Sequence, residues 1–64
     1  MKAAELNEKS QAELAELLES SRKEYFRLKM RKASGQLEKV SDMVKLRKDI
    51  ARINTVIRER ELRG

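Results

Sequence analysis

Residues Lys32 to Lys39 read KASGQLEK and contain Gly35, the only glycine before the last residue of a 64-residue chain that has no proline. Long stretches of good helix formers flank this segment on both sides. A glycine just past a helix end adopts a positive φ without a Cβ penalty, and the amides that follow it can bond the last free carbonyls. The segment therefore predicts that one helix ends near Ser34 and that a turn leads into a second helix.

The first long helix is predicted to begin at Ser10. Ser10-Gln11-Ala12-Glu13 fits the capping box, in which the serine hydroxyl and the glutamate carboxylate each accept from the other residue's amide. Spacings of four and three then mark one stripe along this helix. The stripe consists of Leu14, Leu18, Ser21, Tyr25 and Leu28. We expect the helix to cover residues 10–34, after an N-terminal arm of residues 1–9 that forms only a short helical turn.

The second half of the chain carries a cleaner stripe. It consists of Met43, Leu46, Ile50, Ile53 and Ile57, at spacings of 3, 4, 3 and 4. With a turn at 35–40 and a second helix at 41–62, the two stripes match in length, and the short link makes the helices antiparallel neighbours. The sequence predicts an all-α, coiled-coil-like hairpin of two antiparallel helices in one domain, 1–64. The expected facing pairs are Leu28 with Leu46, Tyr25 with Ile50, Ser21 with Ile53, and Leu18 with Ile57.

The chain has little material for a core. Only 39% of its residues are hydrophobic, and Tyr25 and Phe26 are its only aromatic residues. It has neither the cysteines of a disulfide nor the histidine and cysteine ligands of a structural zinc site, which stabilise many domains of this size. We therefore expect a bound partner to supply part of the stability.

Catalysis and metal binding are not expected. Histidine and cysteine are absent, and the serines have no base at a recognisable spacing. Glu13, Glu16 and Glu19 indicate a solvated helix face, because hard-cation sites draw oxygen ligands from more than one segment. We predict no enzyme, no cofactor, no metal ligand and no small-molecule substrate. The sequence also shows neither an apolar run near ~18 residues nor an export signal, so we expect a cytoplasmic protein that does not span a membrane.

The distribution of charge favours an anionic partner. The net charge is +5 and the sequence pI is about 9.9. Residues 1–21 hold 2 basic and 5 acidic side chains, for −3, whereas residues 22–64 hold 14 basic and 6 acidic side chains, for +8. Within residues 22–32 six cations accompany the single acid Glu24, a density that repels itself unless an anion such as phosphate relieves it.

A second apolar stripe supports an RNA partner. Phe26, Met30, Ala33 and Leu37 follow spacings of 4, 3 and 4, about 100° or more from the first stripe, where a two-helix hairpin cannot cover them. Apolar side chains next to cations suit an irregular RNA surface, where they contact bases and sugars. Three alternatives remain open: a merely solubilising surface, a coiled-coil module that homodimerises through its stripes, and a helix on anionic lipid.

Two segments resemble a known family. FRLKMRKASGQLEK at residues 26–39 and VKLRKDIARINTVIRER at residues 44–60, after the opening KAAELNEKS at residues 2–10, are similar to the bacterial form of large-subunit ribosomal protein twenty-nine. The resemblance implies a structural, ribosome-bound constituent of the large subunit that binds its ribosomal RNA near the polypeptide exit tunnel and supports translation. It also implies ribosomal protein twenty-three as a neighbour, and trigger factor and the signal recognition particle as factors that dock at the exit site.

The expected RNA-binding residues come from both arguments. The resemblance places the family's turn on residues 33–37 and its basic run on residues 47–55, and the crowded cations of the first helix add two more contacts. The full set is Lys29, Arg31, Ser34, Gly35, Gln36, Arg47, Lys48, Arg52 and Thr55, with Phe26, Met30 and Leu37 as RNA-facing apolar residues. The cations are expected to contact phosphate, and the turn is expected to reach the RNA through its backbone amides and the apolar stripe.

Overall fold

The computed structural model describes residues 2–36 and 39–63, and every regular element within that range is an α-helix. The elements are α1 (Ala3–Asn7), α2 (Gln11–Ala33) and α3 (Val40–Arg63). The end of α2 lies beside the start of α3, because Leu28 and Leu46 line one groove. Earlier in α2, Arg22 lines a second groove together with Arg58, which lies near the end of α3. This order is antiparallel. The predicted all-α hairpin with a short helical arm is confirmed, as a rod of 44 × 17 × 16 Å.

The start of α2 is the predicted capping box. The Glu13 amide donates to the Ser10 hydroxyl at 3.1 Å, and the Ser10 amide donates to the Glu13 carboxylate at 3.1 Å. The Ser10 amide is the main cause that lowers the pKa of Glu13, followed by the Ser10 side chain, with a smaller effect of Lys9. The box thus satisfies two helix-end donors at once and holds a carboxylate at the positive end of the helix dipole.

The end of α2 is a Schellman motif. Gly35 has φ +77°, its amide donates to the Lys32 carbonyl at 3.1 Å, and the Gln36 amide donates to the Arg31 carbonyl at 2.9 Å. The positive φ predicted for Gly35 is confirmed. A Cβ atom built on Gly35 would meet no heavy atom within 4 Å, so the backbone conformation, and not crowding inside the protein, is the reason for glycine.

The second long helix begins at Val40, one residue before the expected start, and continues to Arg63. Ser41 and Asp42 therefore lie in its first turn, where the Asp42 carboxylate is close to the positive end of the helix dipole. The Asp42 amide donates to the Lys39 carbonyl at 3.3 Å. Leu37, which the sequence predicts to face RNA, lies outside the described residues.

The main cluster of buried residues lies at one end of the rod, which we call the base; the opposite end, around the turn, is the tip. Leu14, Ile53 and Val56 are buried at the base together with Leu6 of α1. Of the expected stripe residues, Ser21 and Met43 are also buried. Others are only half-buried, namely Leu18, Tyr25, Leu28, Leu46, Ile50 and Ile57. The seam is therefore best covered where α1 adds a third helix.

The packing of α1 on α3 is a feature that the sequence does not predict. Leu6 is only 1% exposed, and Val56, which lies off the predicted stripe, is 8% exposed within the same cluster. The Arg60 guanidinium fixes the end of this short helix: it donates to the carbonyl oxygens of Lys9 at 2.6 Å, Asn7 at 3.1 Å and Leu6 at 3.4 Å. A cation at these helix-end carbonyls adds hydrogen bonds at the end of α1 and complements the helix dipole, although the Leu6 carbonyl also accepts from the Lys9 amide at 3.1 Å. Leu6 and Arg60 together hold the arm.

The tip, by contrast, is open. The accessible surface of the chain is 5210 Å², against about 4,200 Å² for a compact monomer of its mass. Of the five large hydrophobic residues that are strongly exposed among residues 2–36 and 39–63, four lie in the tip half. They are Phe26 (63%), Met30 (57%), Val40 (53%) and Val44 (48%). Large exposed apolar patches are typical of surfaces that contact a partner.

Replacing Arg60 with alanine is expected to release α1. The change removes three hydrogen bonds from a charged donor, and we expect the free energy of unfolding to fall by about 2 kcal/mol. Hydrogen exchange should show faster exchange at the Leu6 and Lys9 amides, which are bonded in the intact arm. Arg63→Ala, which removes the same charge from an exposed position, is the control; equal protection of the arm in both variants would contradict the role given to Arg60.

Candidate nucleic-acid interface

Two grooves run between α2 and α3, and their charges differ. The basic groove, of about 630 Å³, is lined by Arg22, Ala51, Asn54, Thr55, Arg58, Glu59 and Leu62. The acidic groove is lined by Glu24, Leu28, Asp42, Lys45, Leu46 and Asp49. The basic groove thus has two arginines and one carboxylate, whereas the acidic groove has three carboxylates and one lysine. A polyanion is attracted to the first and repelled by the second.

The side of the rod that carries the basic groove, which we call the basic face, continues toward the tip. Lys29 lies seven residues after Arg22 on α2, and Arg47 lies seven residues before Asn54 on α3, so each falls on the side of its helix that borders the groove. Two of the predicted RNA-binding residues, Lys29 and Arg47, therefore share this face. Arg22 and Arg58 also belong to this face, although the sequence-based set omits them. They line the same groove only once α2 and α3 are packed together.

These four cations are not neutralised by their neighbours. Nothing within residues 2–36 and 39–63 forms a salt bridge or side-chain hydrogen bond with Arg22, Lys29, Arg47 or Arg58. Among the other cations, Arg27 pairs with Glu24 at 3.0 Å, and Lys23 pairs with Glu19 at 4.0 Å. The face thus presents positive charge that an external anion can use.

The rest of the predicted basic run lies on another side of α3. Lys48, Arg52 and Thr55 are spaced 4 and 3 and share an outward face, separate from Arg47. Arg52 and Thr55 line a groove of about 280 Å³ between α1 and α3, and Thr55 borders the basic groove as well. The Thr55 hydroxyl donates to the Ala51 carbonyl at 2.9 Å, inside its own helix. The predicted cations therefore do not form one cluster, and Arg31 likewise does not line the basic groove.

The turn cannot use its amides as expected. The amides of Ser34, Gly35 and Gln36 donate to carbonyls of the last turn of α2, and the Ser34 hydroxyl donates to the Arg31 carbonyl at 3.0 Å. The expectation that these amides reach RNA is therefore wrong, because the Schellman motif already occupies them. Three groups of the turn are exposed to solvent: the Ser34 oxygen, the Gln36 side chain and the bare backbone of Gly35.

The predicted apolar contacts Phe26 and Met30 are exposed near the tip, as an RNA-facing role requires. Val40 and Val44 add to this exposed apolar surface from α3, and sequence reasoning missed them. Their spacing of four residues, off the seam that runs through Met43 and Leu46, was a signal that could have found them.

The described part of the chain shows neither a metal site nor a membrane-spanning helix. There, no group of histidine, cysteine, aspartate and glutamate residues is arranged to hold a metal ion. Of the helices described, none combines the length and the apolar character that crossing a membrane requires.

Fold and surface together define a small basic helical hairpin that carries exposed cations and exposed apolar groups. The family model described as "Ribosomal L29 protein" matches residues 4–60. This chain belongs to the ribosomal L29 protein family. The resemblance noted from the sequence is thereby confirmed, and the chain is a structural ribosomal protein, not an enzyme.

Curated relatives agree over nearly the whole chain, and each is named "Large ribosomal subunit protein uL29". The relative from Carboxydothermus hydrogenoformans is 50% identical over 97% of this chain and 90% of its own length. That from Geobacillus stearothermophilus is 45% identical over 97% and 94%. That from Thioalkalivibrio sulfidiphilus is 47% identical over 100% and 98%.

Two substitutions separate the two possible reasons for Gly35. Asparagine tolerates positive φ, so Gly35→Asn should keep the melting temperature within a few degrees of wild type, whereas Gly35→Val should destabilise the hairpin by about 1–3 kcal/mol. If RNA approaches the bare backbone of the turn, both variants should bind large-subunit ribosomal RNA more weakly, because each adds a side chain there. Wild-type RNA affinity of Gly35→Asn would show that the glycine serves the turn alone.

Proposed function

We propose that this chain is a structural constituent of the large ribosomal subunit that binds large-subunit ribosomal RNA near the polypeptide exit tunnel and so supports translation, ribosome-bound in the cytoplasm. The observation that carries the proposal is membership of the ribosomal L29 family over residues 4–60. The basic face and the exposed apolar tip support it, because they are the two kinds of surface that an RNA partner covers.

The binding mechanism that we propose is charge neutralisation by the cations of the helical rod. Phosphates bind to cations that protrude from the helices, and each contact releases condensed counterions from the RNA. Lys29 and Arg47 act from the basic face, Lys48 and Arg52 from the outward side of α3, and Arg31 from the last turn of α2. Because these residues lie on more than one side of the rod, the RNA has to contact more than one face of it.

The apolar tip acts together with the cations. Phe26 and Met30 on α2, with Val44 on α3, lie close to the turn and are about half or more exposed. An aromatic ring in such a place stacks on an unpaired base or packs on a sugar, a contact worth about 1–3 kcal/mol per base. Binding would thus bury the apolar surface that the hairpin itself leaves open, and would add stability where the seam is least covered.

The partners follow from the resemblance. We infer that ribosomal protein twenty-three is the neighbouring protein, and that trigger factor and the signal recognition particle dock nearby at the exit site. These partners rest on the family alone, whereas the RNA contact also rests on the charge and apolar surface of the described residues.

The alternative of a coiled-coil module that homodimerises is disfavoured by the packing. Its seam residues, including Leu14 and Ile53, are buried against each other and against α1 within one chain. A dimer through the same seam would first have to open this core. Analytical ultracentrifugation separates the two models: ours expects a monomer that gains helix when RNA is added, and the alternative expects a concentration-dependent dimer without RNA.

Sedimentation of cell lysate through a sucrose gradient tests the function directly. The chain is expected to migrate with the large subunit and to move to the top of the gradient after RNase treatment, because RNA holds it there. A charge-matched helical protein of similar size is the control for non-specific attachment. Recovery of the chain away from the large subunit before RNase treatment would contradict the proposal.

Salt dependence tests the electrostatic mechanism. With about six phosphate contacts, the affinity of the chain for deproteinised large-subunit ribosomal RNA should fall by about 10³ between 50 and 200 mM salt. Filter binding at several salt concentrations measures the slope. An affinity that stays constant over that range would exclude charge neutralisation as the mechanism.

A further inference from the structure

We propose that the basic groove holds one sugar–phosphate strand of the RNA, with Arg22 and Arg58 as its phosphate contacts. The inference rests on the proposed binding of ribosomal RNA and goes further, because it assigns the face of the rod that the strand follows and two arginines that the sequence-based set omits. It also makes the acidic groove the side that faces away from RNA.

The shape of the basic groove fits a strand. Arg22 lines the groove from α2 and Arg58 lines it from α3, and the small side chain of Ala51 lines it together with Asn54. A small residue lets a backbone approach the helix closely, and the Asn54 amide supplies both a donor for a phosphate and an acceptor for a ribose hydroxyl. The groove thus combines charge with space and hydrogen-bonding groups.

The length of the basic face also suits a strand and not a single anion. Arg47 and Arg58 are eleven residues apart on α3, which is about 16 Å along the helix. At a rise of about 3.4 Å per nucleotide, this distance covers about five nucleotides of a stacked strand. Lys29 and Arg22 accompany it on α2, so cations flank the path on both sides. An isolated phosphate could contact only one end of this face.

The charge of the lining decides which side of the rod takes the strand. Glu59 is the one carboxylate that lines the basic groove, and it also lines the groove between α1 and α3. Glu19, one turn before Arg22, is paired with Lys23. On the opposite side Glu24, Asp42 and Asp49 line the acidic groove, which would repel phosphate. The geometry thus selects one side of the rod for the polyanion.

A charge-matched pair of variants tests the inference. Arg22→Gln with Arg58→Gln removes two charges from the basic groove, and Lys23→Gln with Lys45→Gln removes two charges from outside it, so both proteins change from +5 to +3. Filter binding to deproteinised large-subunit ribosomal RNA is measured for both and for wild type from 50 to 200 mM salt. Circular dichroism first confirms that each full-length variant keeps its helix content.

The groove variant is expected to lose about two units of the log–log salt slope and on the order of tenfold in affinity, because two phosphate contacts are gone. The control is expected to lose less than about half a unit of slope. Equal losses in the two variants would overturn the groove assignment while the proposed function stands. A wild-type chain that shows no salt-dependent RNA binding would instead overturn the proposed function itself.

Two further measurements test the groove in the assembled particle and against lipid. In purified large subunits, Arg22 and Arg58 should be protected from phenylglyoxal while Arg27 stays reactive; modification of both groove arginines in the intact particle would overturn the inference even if the variants fail to fold.

Phosphatidylglycerol vesicles test anionic lipid as the occupant. Vesicle binding that the groove substitutions abolish, with RNA binding unchanged, would also overturn it.

Discussion

Two helices can bury only one stripe each, and that limit governs the rest of this structure. A seam between two rods leaves most of each helix surface in water, so a chain of 64 residues obtains little apolar burial from it. The protein meets the limit differently at its two ends. At the base a third helix of only five residues places Leu6 over the seam, and at the tip nothing within the described residues covers Phe26 and Met30. The rod is therefore closed at one end and open at the other.

Much of the fold follows from local rules that the sequence displays. Ser10 and Glu13 mark a helix start because their side chains satisfy nearby amides, and Gly35 marks a helix end because it alone takes a positive φ without strain. The seam follows from spacings of three and four residues. These features depend on contacts between residues a few positions apart, and such contacts are readable without coordinates.

What the sequence could not show depends on contacts between distant residues. Arg60 looks like one more cation of a basic helix until its guanidinium is seen on the carbonyls of Lys9 and Asn7, about fifty positions earlier. The same holds for the candidate site. Local charge predicts Lys29 and the resemblance adds Arg47, but the groove that Arg22 and Arg58 line together is seen only once the helices are packed. The amides of the turn do not have the role that the sequence predicted, because they already donate to carbonyls at the end of α2.

The packing of α1 on α3 also affects the stability of the free protein before it is assembled into the particle. An ordered base limits the conformational entropy that the chain can still lose on binding a partner, so less of the binding free energy is spent on folding. The ordered base also keeps Leu6, Leu14 and Ile53 away from proteases in the free chain. Substitutions at Leu6 or Arg60 should then act on the abundance of the free protein, and substitutions near Phe26 on its recruitment. Different residues of this small protein thus govern its stability in the free state and its assembly into the particle.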